Sequence, residues 1–327
     1  MSEELIGTTV CPIPVPTPFP VGPITCYLLR GDRPILVDAG PNTPEAWEAL
    51  TAGLARWTTP IAAVRAIIIT HGHPDHYGQA ARVAAASGAP VWGPDGSDRA
   101  LIEDHPAELH RWVEFLRRFM PRTGFPAAPL DRLFRMIESR TEYARPVRLA
   151  RILRDGDQVS AGPLSFRVIH TPGHTPGLFC LHAEGEALLL SSDHILPTIT
   201  PNPILQRFED FFGDRFRGLV AFQASLDRLA PLRIALALPS HGAPVSDLPG
   251  RVRSIRAHAE DRKQKIHALL DGGPLRLYQV AMRLFPDLPE DQHLLAVFDT
   301  IGHADLLVEE GRAAYVEQDS LLCLARA

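Results

Sequence analysis

The apolar run Ala66-Ile67-Ile68-Ile69 passes without a break into Thr70-His71-Gly72-His73-Pro74-Asp75-His76. Three imidazoles and a carboxylate crowded at a buried strand end need a partner, and a metal ion is the partner that suits them. The pattern returns three times. Ile169-His170-Thr171-Pro172-Gly173-His174, Leu190-Ser191-Ser192-Asp193-His194 and Leu238-Pro239-Ser240-His241-Gly242 each place a His or an Asp just beyond an apolar stretch. A fold that gathers these strand ends holds donors for two cations.

With 327 residues the chain is long enough for one large domain and a small one. A formal charge of -5 argues against nucleic-acid binding through bulk charge. The acidic start Met1-Ser2-Glu3-Glu4 is followed by no uninterrupted apolar stretch, so neither a signal peptide nor a membrane helix is expected, and the cytoplasm is the expected compartment. Cys11, Cys26, Cys180 and Cys323 are scattered and form no CxxC pair, which speaks for buried thiols rather than disulfides or a thiolate zinc site.

Prolines at alternate positions bar residues 11–23 from a helix and make them an extended lead-in. Ile24 to Leu29 and Ile35 to Val37 read as strands, Thr43-Pro44-Glu45 opens a helix reaching Trp57, and Val64 to Thr70 is the strand that delivers the histidine-rich loop. Gln79 to Ser87 is helical and Pro90 to Trp92 a short strand, an alternation that fits a layered α/β domain. From 97 to 148 that rhythm gives way to a helical insertion. Leu109, Trp112, Val113, Leu116, Phe119 and Met120 share one helix face, and Leu130, Leu133, Phe134 and Ile137 form a second apolar stripe. These stripes either cover the catalytic layers or build a lid over the active site. Strands return between 152 and 195, Phe216 to Leu229 is a helix, and Ile234 to Leu238 feeds Ser240-His241-Gly242. Beyond Gly250 come a long helix, two shorter helices and a strand pair at Ala313 to Leu324.

The order HxHxDH, PGH, SxD and SHG resembles the metallo-β-lactamase-fold hydrolases over roughly residues 10 to 250. The resemblance implies an α/β (α+β) fold, an αββα sandwich over residues 1–248 that carries the 97–148 insertion, with a helical linker and small winged-helix-like domain over 249–327. It also implies a ligand set. His71, His73 and His174 hold one metal, Asp75, His76 and His241 a second, and Asp193 bridges them. Imidazole and carboxylate donors suit two divalent ions, zinc first, with iron or manganese admitted by the same atoms. In such a centre a metal-bridging hydroxide attacks the substrate, with Asp75 in the further catalytic task of orienting it. Asp38 is a candidate support for the HxHxDH loop, and Gly72, Gly173 and Gly242 are candidates for close backbone approach to the metals. His170 and His194 read as turn residues or as further members of the site. The other histidines carry no assigned chemistry.

Zinc-cysteinate β-lactamases carry Cys where this chain has Asp193, so the resemblance points away from antibiotics and toward the glyoxalase II-like, lactonase and thioesterase branches. The tail after Gly250 does not match the glutathione-binding helices of glyoxalase II. A small ester, an acyl-CoA-like thioester or a lactone is therefore the expected small-molecule substrate, with the loop from Leu196 to Pro203 edging its pocket. Two other activities share these ligands. A lactamase-like endoribonuclease or phosphodiesterase would use Arg251, Arg253, Arg256, Arg262, Lys263 and Lys265 as a basic face, although Glu260 and Asp261 interrupt it and a solvated helix face explains it as well. An iron-dependent enzyme would resemble the persulfide dioxygenases. No membrane partner is expected, nucleic acid is disfavoured, and a homodimer through the tail remains open.

Overall fold

The computed structural model describes residues 2–327. Two sheets stack face to face. The first has six strands in the order β1 (Val10–Val15), β2 (Ile24–Leu29), β3 (Ile35–Val37), β4 (Ala66–Ile68), β5 (Val91–Gly93) and β6 (Arg151–Ile152). The second runs β11 (Leu236–Pro239), β10 (Leu188–Ser192), β9 (Phe179–Ala183), β8 (Leu164–His170) and β7 (Gln158–Ala161).

Period-two alternation divides each sheet between two cores. In β2, Tyr27 and Leu29 face the second sheet, where they join Phe166, Val168 and Leu190, while Ile24, Cys26 and Leu28 face outward to Leu50 and Leu54 of the Pro44–Arg56 helix. The outer face of the second sheet, with Cys180 and Leu189, is covered by Phe222 and Leu226 of the Gly218–Leu229 helix and by Ile255 of the Leu248–Leu269 helix. The layers are helix, sheet, sheet and helix, the expected αββα sandwich.

One sequence expectation needs refinement. The proline-rich lead-in contains β1, a paired edge strand rather than an unpaired approach. Pro12 and Pro14 stand opposite Tyr27 and Thr25. They sit at positions whose nitrogens point away from β2, as the outward Pro12 carbonyl shows by accepting from Trp57 Nε1 (3.3 Å), so no ladder donor is lost.

The insertion and the C-terminal segment share a fourth core, and the insertion's stripes pack there rather than on the sheets. Val113, Leu116 and Phe119 of the His105–Phe119 helix and Leu130 and Phe134 of the Ala127–Glu138 helix meet Val280, Val297, Ile301 and Leu324. The C-terminal segment follows the order helix (Leu248–Leu269), β12 (Leu275–Arg276), helix (Leu277–Leu284), helix (His293–Glu309), β13 (Ala313–Gln318) and β14 (Leu321–Arg326), and its three strands pair as β12-β14-β13. Arg215 is clamped through both terminal nitrogens by Asp305, each side chain 2% exposed, and Tyr315 donates to the same carboxylate (2.7 Å). This buried pair ties the loop after Asp193 to the His293–Glu309 helix. All four cysteines are buried and free, as expected. Among the described residues no helix is long and apolar enough to cross a membrane.

Candidate metal centre

All four motifs leave the same edge of the sandwich. β4 runs into His71, and Pro74 at the first position of the short Pro74–Tyr77 helix winds the next turn so that His73 precedes it while Asp75 and His76 lie within it. His174 follows β8, Asp193 follows β10, and His241 follows β11, the parallel neighbour of β10.

The seven residues singled out in the sequence form two groups of donor atoms. His71, His73, His174 and Asp193 place one donor each within 4.8 Å of one another, as do Asp75, His76 and His241. His73 Nδ1 lies 3.0 Å from His71 Nε2 and 2.9 Å from His174 Nε2. Asp193 stands between the groups. Its Oδ2 is 3.5 Å from His174 Nε2, and its Oδ1 is 3.5 Å from His76 Nε2 and 3.7 Å from His241 Nε2.

The outward nitrogens are held by the protein. His76 Nδ1 meets Asp38 Oδ2 at 2.8 Å, His174 Nδ1 donates to the Asn202 carbonyl at 2.9 Å, and His241 Nδ1 donates to the Pro23 carbonyl at 2.9 Å. A carbonyl can only accept, so in His174 and His241 the proton sits on Nδ1 and the Nε2 lone pair faces inward. Burial, reinforced by neighbouring imidazoles, lowers the pKa of His71 well below the usual value and that of His73 to about 3, keeping both neutral. Burial opposes the Asp193 anion, yet His76, His241 and His71 around it hold its pKa well below the carboxylate range.

These residues fit divalent cations on an observation independent of sequence. The inward Nε2 atoms of His76 and His241 are buried and have no hydrogen-bond partner. An orphaned buried nitrogen is costly, and three further ring nitrogens crowding one point cannot all share protons. A cation in each group would satisfy every one of these lone pairs.

Asp38 takes the supporting place expected of it. Its carboxylate accepts from the Thr70 amide and hydroxyl, each at 2.9 Å, as well as facing His76, and its own φ is +57°. Asp98 is a residue the sequence analysis missed. The Gly72 and Gly177 amides donate to its Oδ1 and Oδ2 at 2.7 Å each, joining the loop that carries His71 and His73 to the loop that carries His174.

Two of the three motif glycines are required by close packing. A Cβ at Gly173, where φ is +156°, would lie 2.6 Å from the Phe222 Cα, and one at Gly242 would lie 2.6 Å from Pro197 Cγ. At these two positions the lack of a side chain admits neighbouring protein. His170 closes β8 opposite Phe179 rather than lying in a turn, with Nε2 2.8 Å from the Pro176 carbonyl, and His194 is buried against the Phe222 ring with neither nitrogen partnered. Neither joins the donor groups. The Leu196–Pro203 loop reaches the centre through Asn202, while it is Ile204, Gln206 and Arg207 just beyond it that line the adjoining cavity.

Comparison with known proteins agrees with this geometry. Residues 19–241 match the family description "Metallo-beta-lactamase superfamily". The Bacillus subtilis protein named "Probable metallo-hydrolase YqjP" is 30% identical over 314 residues, covering 95% of this chain and 96% of that one. A crystal structure of a metallo-beta-lactamase family protein from Thermus thermophilus superposes with a TM-score of 0.82 at 29% identity, covering 98% of this chain and 99% of the other. Over a shorter stretch the hydroxyacylglutathione hydrolase GloC of Haemophilus influenzae is 26% identical, covering 35% of this chain and 42% of that one. The chain belongs to the metallo-beta-lactamase superfamily of metal-dependent hydrolases.

Proposed function

We propose that this enzyme hydrolyses a small thioester, ester or lactone at a dinuclear centre held by His71, His73, His174, Asp75, His76, His241 and Asp193. The observation that carries the reading is the placement of Asp193, one oxygen toward each donor group. Two divalent cations, zinc in our reading, would supply Lewis acidity toward a carbonyl oxygen and lower the pKa of bound water to about 7. The protein's part is positioning. Asp38 fixes His76, the Asn202 and Pro23 carbonyls fix His174 and His241, and Asp75, with Oδ2 3.4 Å from His241 Nε2, is placed to orient the attacking water. No serine or cysteine nucleophile is needed.

Asp193 in place of a zinc-binding cysteine supports the glyoxalase II-like and thioesterase-like branch, as does the similarity to a hydroxyacylglutathione hydrolase. We assign residues 1–248 to the catalytic domain with 97–148 as its lid, and 249–327 to a winged-helix-like tail. Two observations weigh against RNA as substrate. Five of the six residues of the basic face are engaged internally: Lys265 pairs with Asp261 (2.7 Å), Lys263 with Glu260 (2.6 Å), Arg256 with Asp227 and Arg262 with Asp299 (3.7 Å), and Arg251 donates to the Leu196 and Ile199 carbonyls. The last tail helix, the one a winged helix would insert into a groove, is buried through Val297, Phe298 and Ile301. The test is a panel of acyl-CoA thioesters, lactones, aryl esters and single-stranded RNA with the metal-loaded protein. Thioester or lactone turnover insensitive to salt, lost in Asp193→Ala, is expected; RNA cleavage that fades steeply with salt would overturn the reading.

A further inference from the structure

A cavity of about 600 Å³ opens beside the donor groups. At its inner end its wall is formed by Gly72, His73, Pro74 and Thr175. Away from the centre the wall is Leu109, Trp112, Leu133, Ile137, Leu294 and Phe298, contributed by the insertion and the tail. Apart from Asp291, the charged members of its wall are paired with one another or held by the backbone. Glu108 pairs with Arg207 (2.8 Å) and Arg111 (2.6 Å), both Asp98 oxygens are taken by backbone amides, and burial lowers the pKa of His105 to about 4, leaving it neutral.

We propose that this cavity is an acyl-chain channel selecting substrates with an unbranched aliphatic tail of about six to ten carbons; this deepens, and rests on, the hydrolase reading above. At about 30 Å³ per water-sized heavy atom the space accommodates about 20 such atoms, enough for a ten-carbon acyl group and its thioester. Leucine, isoleucine and methionine side chains give the wall an irregular surface that fits a flexible chain. The walls are also tied to the centre: Asn202 donates from Nδ2 to the Leu295 carbonyl (3.0 Å) and accepts at its own carbonyl from His174 Nδ1. The insertion and the tail thus build a specificity pocket for the catalytic domain.

The test uses methyl ketones of four to ten carbons, which mimic the acyl carbonyl and cannot be hydrolysed, titrated calorimetrically into the full chain with and without metal. Affinity is expected to rise with chain length, by up to about fourfold per methylene, in both preparations. Leu109→Trp and Ile137→Trp, which fill the cavity from two separate helices, are expected to weaken the ten-carbon ketone tenfold or more and the four-carbon ketone far less. Affinity independent of chain length in the unaltered protein, or ten-carbon binding untouched by both variants, would overturn the proposal. A chain-length slope without hydrolysis of any matching thioester or ester would instead overturn the hydrolase reading and leave the channel standing.

Discussion

Asp98→Asn separates a positioning role from a merely local one. In the native protein the carboxylate accepts two backbone amides, from Gly72 and Gly177, at 2.7 Å each in a fully buried setting. The asparagine side chain keeps the shape but offers one acceptor oxygen, and its NH2 must face the other amide. Hydrogen bonds to a charged group contribute about 1.5–3 kcal/mol each, so losing one and weakening the other is expected to cost ~2–4 kcal/mol. With an unfolding entropy near 2.1 cal/mol/K per residue, a chain of 327 residues changes Tm by about 1.5 °C per kcal/mol, so a fall of about 3–6 °C is expected. Because the lost bond joins the His71–His73 loop to the His174 loop, the metal held by those three imidazoles is expected to bind about 10–100-fold more weakly, with the other equivalent much less affected. Competition against a chromophoric chelator, alongside a melting curve, measures both. If Asp98→Asn binds two equivalents with native affinity and melts within about 1 °C of the native protein, Asp98 does not position the centre.

Three further outcomes are expected. Asp305→Ala strands the buried Arg215 guanidinium and should lower stability by ~3–5 kcal/mol, read as a drop of several degrees in Tm; an unchanged melt would show that the ion pair carries no stability. Burial holds His105 near pKa 4 against about 6.5 when unfolded, so below pH 6.5 the unfolded chain binds a proton that the folded one refuses. Stability tied to this residue is therefore full above pH 6.5 and falls by about 3 kcal/mol as pH drops toward 4; His105→Gln should flatten that part of the denaturation profile, and an identical profile would refute the assignment. Gly173→Ala should drive a methyl into the Phe222 backbone and destabilise the His174 loop, so a variant with native thermal stability and native metal affinity would contradict the packing seen there.

The gathering of the seven donors was legible because its signal is local and dense: four strand ends, each followed within a few residues by His or Asp, leave few alternatives to a shared edge. The sandwich was legible for a related reason, since apolar strands alternating with amphipathic helices have few ways to bury both faces. Asp98 was not legible. Its partners Gly72 and Gly177 lie far away in sequence, and an Asp at a helix start is more often a cap. The stripes in the insertion were visible as stripes, but whether Phe119 and Phe134 meet the sheets or the tail depends on tertiary packing, and here they meet the tail. The glycines of the motifs illustrate the same limit: their spacing places them near the donor groups, while the neighbour that demands the lack of a side chain at Gly173 and Gly242, Phe222 or Pro197, comes from elsewhere in the chain.

The direct measurement of the central claim is elemental analysis of the purified protein beside Asp193→Ala. Two divalent ions per chain are expected in the native protein and fewer than one in the variant, because the carboxylate that faces both groups is gone. A native protein that stays fully active after exhaustive chelation, or a variant that retains both ions, would contradict it.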